Sequence, residues 1–132
     1  MRAAIFFRLM SLVSVTVALT PNARAQSLQV NGQAGVLGEW ELTATVTEIS
    51  ANGKKEFFGP LTLKHTGLCT KDGPEEKSGE LRFQLSRSSS RIEATLMVDG
   101  VACSFAAKKS HAFNGVMKCP DRDDVPLLVW VR

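Results

Sequence analysis

From Glu39 to Thr47 the chain alternates almost without a break. Trp40, Leu42, Ala44 and Val46 fall on one face, and Glu39, Glu41, Thr43, Thr45 and Thr47 fall on the other. Successive side chains point to opposite faces of a strand, so this period of two predicts a half-buried β-strand. Asn52-Gly53 follows, a pair suited to the positive φ values of a tight hairpin turn. The chain then returns through Glu56 to Gly67, with Leu61 and Leu63 opposite Thr62 and Lys64. Within that segment Gly59-Pro60 predicts a bulge or an edge position, because proline cannot donate to a ladder.

Residues 70–79 contain no apolar side chain and carry two turn signals, which predicts the longest solvated loop. Beyond it Leu81, Phe83 and Leu85 alternate with Arg82, Gln84 and Ser86, and Ser88-Ser89-Ser90 forms a polar turn. Ile92, Ala94, Leu96 and Val98 make the next inward row, Asp99-Gly100 a second tight hairpin, and Val101, Cys103, Phe105 and Ala107 the row after that. Lys108 to His111 turn the chain, Phe113 to Cys119 return it, Pro120 to Asp124 form an acidic loop, and Val125 to Val131 close the series. No stretch carries a 3.6-residue apolar period, so little helix is expected. A meander of hairpins must close or leave edges that recruit other chains. The expected fold is therefore all-β, a small antiparallel up-and-down barrel of about seven to eight strands, with a two-sheet sandwich as the competing layout.

The first 25 residues read differently. Arg2 and Arg8 precede an apolar run from Leu9 to Leu19, and Ala23-Arg24-Ala25 offers a small-residue cleavage site before Gln26. Spanning a bilayer as a helix takes about 20 apolar residues, and this run is both shorter and diluted by Ser11, Ser14 and Thr16. Residues 1–25 are thus expected to be a signal peptide and 26–132 a single β-barrel domain, periplasmic or secreted, with no stable membrane insertion after cleavage. A lipid anchor needs a cysteine at the cleavage point, and the first cysteine is Cys69.

Removing the leader changes the charge. The chain of 132 residues has 16 basic and 13 acidic residues, and losing Arg2, Arg8 and Arg24 leaves 13 of each. A neutral domain offers no net-charge case for nucleic acid or an anionic membrane surface. Export also alters the reading of Cys69, Cys103 and Cys119, since disulfides persist outside the reducing cytosol. Three pairings are possible. Cys103 with Cys119 is favoured, because these two fall on adjacent strands of one hairpin.

Gly38-Glu39-Trp40, where the first alternating segment begins, resembles the Gly-x-Trp of lipocalins and related calycin barrels, including small exported peptidase inhibitors. That resemblance implies a barrel with Trp40 plugging one end. The segments Val101 to Phe105 and Asn114 to Pro120 resemble uncharacterised exported proteobacterial proteins, a likeness that carries no activity.

Trp40 and Trp130 are the candidate ligand-binding residues, two rings able to stack at a barrel mouth, with core or end-plug packing as the plainer role. If Val125, Leu127, Val129 and Val131 form the inner row, Trp130 joins Leu128 in an outer apolar patch. His65 and Cys69 suggest a thiol nucleophile only if the chain bends at Gly67. Asp121, Asp123 and Asp124, and likewise the Asp72 to Glu76 segment, read as solvated loops more readily than as calcium ligands. With two histidines, no Cys-x-x-Cys, no phosphate-binding Gly loop and no acid at an inward position, no catalytic residue, metal or cofactor is expected. The expectation is an exported, non-enzymatic binding module that holds a small apolar ligand or docks an extracytoplasmic protein through its loops. The alternative is an inhibitor of an extracytoplasmic enzyme such as a peptidase, inserting the flexible segment Gln26 to Leu37 or the 70–79 loop. A thiol-dependent enzyme built on Cys69 and His65 is a second alternative.

Overall fold

The structure, a computed structural model, describes residues 26–51, 54–66, 73 and 75–132. Residues 1–25, expected to be a signal peptide, Asn52-Gly53, Cys69 and most of the polar segment before Glu75 lie outside the described residues. Eight strands follow in order: β1 (Ser27–Ala34), β2 (Trp40–Ala51), β3 (Lys54–His65), β4 (Glu76–Leu85), β5 (Arg91–Val98), β6 (Val101–Ser110), β7 (Ala112–Lys118) and β8 (Val125–Val131). Each pairs antiparallel with its neighbours, and β1 pairs with β8, so the sheet closes into an up-and-down barrel. The sandwich layout is thereby displaced. Followed once around the wall, the pairing register advances by about ten residues, a stagger that tilts the strands roughly 40° from the barrel axis. An eight-stranded barrel is just wide enough for its own side chains to fill.

The inward rows supply that filling. Val30 and Ala34 from β1, Leu42, Ala44 and Val46 from β2, and Phe57, Leu61 and Leu63 from β3 are all buried. Opposite them lie Leu81 and Phe83, Ile92 and Leu96, Cys103 and Phe105, Phe113 and Met117, and Leu127 and Val129. Phe57 and Phe83 stack, with ring centroids 5.1 Å apart. Among the described residues no charged or polar side chain is buried.

The segment Gln26 to Leu37, expected to be flexible, is instead mostly strand. Its inward row is Leu28, Val30, Gly32 and Ala34, with Gly32 too small to register as apolar patterning. The strand opened by Gly38-Glu39-Trp40 is consequently the second of the barrel. The loop expected over 70–79 also ends early, because β4 begins at Glu76. Its inward row starts Lys77, Gly79, Leu81, so lysine and glycine stand where an apolar pattern would have revealed a strand. Gly59-Pro60 sits in a closed wall rather than at an edge, and it adds no residue, since the β2–β3 register is the same on either side of it. The ladder skips these two residues, and β3 approaches β2 so closely there that a Cβ on Gly59 would fall 2.8 Å from the Val46 Cα.

The turns follow local chemistry. Asp99 (φ 50°) and Gly100 (φ 78°) both adopt left-handed conformations, as the two-residue hairpin demands. The turn expected over Lys108 to His111 contracts to His111 alone (φ 65°), with Ser110 paired to Ala112 across it. The Cys103–Cys119 disulfide is formed, with Cα atoms 4.4 Å apart. It joins the start of β6 to the residue just past β7.

Candidate functional site

The two ends of the barrel differ in chemistry. One end carries the β1–β2, β3–β4, β5–β6 and β7–β8 connections. There Trp40 lies half-buried on the inward row and packs against the core. The His65 ring meets it edge-on with centroids 4.6 Å apart, and Lys77 Nζ stands 5.4 Å from the ring centre. Lys77 in turn lies 3.7 Å from the Asp99 carboxylate. Trp40 thus closes this end with both neighbours drawn from the chain itself. His65 is committed to the same packing, and its proposed thiol partner, Cys69, lies outside the described residues.

Trp130 goes elsewhere. Val129 is buried in the core and Trp130, next along β8, points outward, half-buried, in register with Asn31 of β1. Continuing the β7–β8 register by one step sets it opposite Ala112, a buried alanine that lies apart from the core cluster. The two tryptophans therefore occupy different faces and form no common mouth, because the parity of β8 places Leu127 and Val129 inside.

Among the described residues the opposite end is open. A depression of about 920 Å³ is lined by Leu28, Phe57, Leu85, Phe113 and Val131, the last apolar inward residues of β1, β3, β4, β7 and β8. Lys55, Arg87, Arg91, Lys109 and Arg132 stand around it, with Glu93 the one acidic side chain among its lining residues. Lys55 and Lys109 prolong the inward rows Leu61-Gly59-Phe57 and Phe105-Ala107, and Arg87 lies two residues beyond Leu85. The turn bearing Arg87 is tied down locally. Ser86 Oγ accepts hydrogen bonds from the backbone N–H of Ser90 (3.2 Å) and Arg91 (3.1 Å), and the Lys109 N–H donates to the Ser90 carbonyl at 2.7 Å. Ion pairs join Lys77 with Asp99, Arg82 with Glu56, and Arg122 with Asp121.

A second, shallower hollow of about 740 Å³ lies on the outer wall of β4 to β7, between Arg82, Glu93 and Lys118. Its lining is mixed in charge. Among the described residues no group of three or more His, Cys, Asp or Glu converges as a metal site.

The mouth residues escaped the sequence reading, which followed apolar rows and stopped where they stopped. The signal was nonetheless present. In an up-and-down meander the residues two positions beyond the apolar rows of β3, β4 and β6 gather at one end, and here all three are cationic. Comparison of the chain with protein-family models, with curated proteins and with solved structures finds no match.

Proposed function

We propose that the chain is an exported, non-catalytic binding module that accepts a small, largely apolar ligand at the open end of its barrel. The observation that carries this reading is a concave space at one end of the barrel, where half-buried Leu28, Leu85 and Val131 lie over the buried rings of Phe57 and Phe113. The leader-like first 25 residues and the Cys103–Cys119 bridge support export to an oxidising compartment.

The test is titration of the mature protein with a neutral naphthylamine probe whose fluorescence rises in apolar surroundings. Saturable one-to-one binding, displaced by an alkyl chain of about twelve carbons, is expected. Absence of saturable binding by any alkyl ligand would remove this reading.

A second reading, docking to an extracytoplasmic protein such as a peptidase, is favoured by one feature at the Trp40 end. Val36 and Leu37 at the β1–β2 turn are 84% and 91% exposed. The turn presenting them is held by the Leu37 N–H on Glu39 Oε2 (3.0 Å) and the Gly35 N–H on the Pro126 carbonyl (2.9 Å). Replacing both with Ser would abolish binding to such a target and leave probe uptake at the other end unchanged.

A further inference from the structure

Resting on the small-ligand reading, we infer that the ligand at the open mouth is a single-chain anionic amphiphile, its alkyl chain on the apolar floor and its anionic head within the ring of cations. Two independent features converge on this chemistry. The first is the mouth itself: five cationic side chains surround an apolar floor with one carboxylate, Glu93, among them. Like charges gathered this way repel, and the cost persists unless an anion offsets it.

The second is the distribution of charge over the molecule. The domain from Gln26 onward is neutral, with 13 basic and 13 acidic residues after Arg2, Arg8 and Arg24 are set aside. At the opposite end eight described acids, among them Glu39, Asp99, Asp121, Asp123 and Asp124, lie in or beside the turns and outnumber four described cations, Lys64, Lys77, Lys118 and Arg122. The barrel is therefore electrically polarised along its axis, and an approaching anion is steered toward the open end and away from the plugged one. A neutral apolar ligand would gain nothing from this arrangement. A cationic amphiphile would be repelled.

Carboxylate and phosphate heads share the required chemistry, so the experiment uses both. Dodecanoate, dodecyl phosphate, dodecanol and dodecyltrimethylammonium, each below its micelle concentration, compete with the naphthylamine probe on the mature protein. The two anions are expected to bind about tenfold or more tightly than dodecanol, and the cation more weakly than dodecanol. Raising the ionic strength from about 0.01 to about 1 M shortens the screening length from roughly 30 to roughly 3 Å and should erase the preference. The double variant Arg87→Gln/Lys109→Gln should lose most of the preference of the two anions over dodecanol, and an unchanged preference would refute the role of the cations. Both side chains are exposed, and removing like charges leaves folding intact, which the thermal midpoint verifies.

Equal affinity for dodecanol and dodecanoate would overturn the anionic head and leave the apolar-ligand reading standing. No binding of any of the four would overturn both. Association with phosphatidylglycerol vesicles without uptake of monomeric dodecanoate would assign the cations to a membrane surface and refute the proposal.

Discussion

Substituting Gly79 by Ala tests the closed wall at its tightest point. β4 lies so close to β5 there that an added Cβ would fall on the Met97 carbonyl oxygen, 2.8 Å from its carbon and 3.3 Å from the Val98 Cα. These are backbone atoms, so no side chain can rotate away. In an open sheet the outer strand would swing aside. In this barrel β4 is paired to β3 over Glu56 to Lys64 and β5 to β6 over Arg91 to Val98, so displacement strains both ladders. Overpacking of this kind costs about 1–3 kcal/mol, and a weakened ladder hydrogen bond adds about 1 kcal/mol. A loss near 3 kcal/mol is expected. Urea unfolding followed by circular dichroism reads it as a midpoint about 1–2 M lower at unchanged slope. Ser78→Ala, on the exposed neighbouring position, should stay within about 0.5 kcal/mol. A Gly79→Ala loss below about 1 kcal/mol would mean that β4 is free to move and the wall is not closed there.

Two further perturbations address the core and the staple. Phe83→Ala removes a ring that is 1% exposed and stacked on Phe57, and should cost about 3–5 kcal/mol in the same urea assay. Replacing Cys103 and Cys119 together by Ala frees a loop with a sequence separation of 16 residues. By chain entropy this costs about 3 kcal/mol, and a thermal midpoint lowered by less than about 5 °C would contradict it.

Much of the fold was legible because apolar rows mark inward faces. Trp40 to Val46, Leu81 to Leu85 and Ile92 to Val98 identify themselves by alternation, Asp99-Gly100 fixes the β5–β6 hairpin register and the Cys103–Cys119 pair that of β6–β7. The pattern fails where the inward residue is not apolar. Gly32 on β1 and Lys77 and Gly79 on β4 break the rows, which is why one strand reads as a flexible segment and another as the end of a loop. In each case the reason is local packing: β1 and β4 run close against a neighbouring backbone, and Lys77 lies beside the Trp40 ring.

The candidate site was less legible for a different reason. Net charge averages the two ends, so a domain balanced at 13 against 13 conceals a cationic mouth and an acidic opposite end. Only the closure of the meander brings Lys55, Arg87 and Lys109 from three separate hairpins to one opening. Trp130 carried the opposite lesson, since its residue type drew notice while the parity of β8 turns it outward.

The most direct measurement of ligand entry at the open end is an amide chemical-shift titration of isotopically labelled residues 26–132 with dodecanoate. Saturable shifts are expected at Leu28, Phe57, Leu85, Phe113 and Val131 and at the flanking Arg87 and Lys109, with Trp40 and His65 unmoved. Shifts centred on Trp40, His65 and Leu37, or no saturable shift at the mouth, would contradict it.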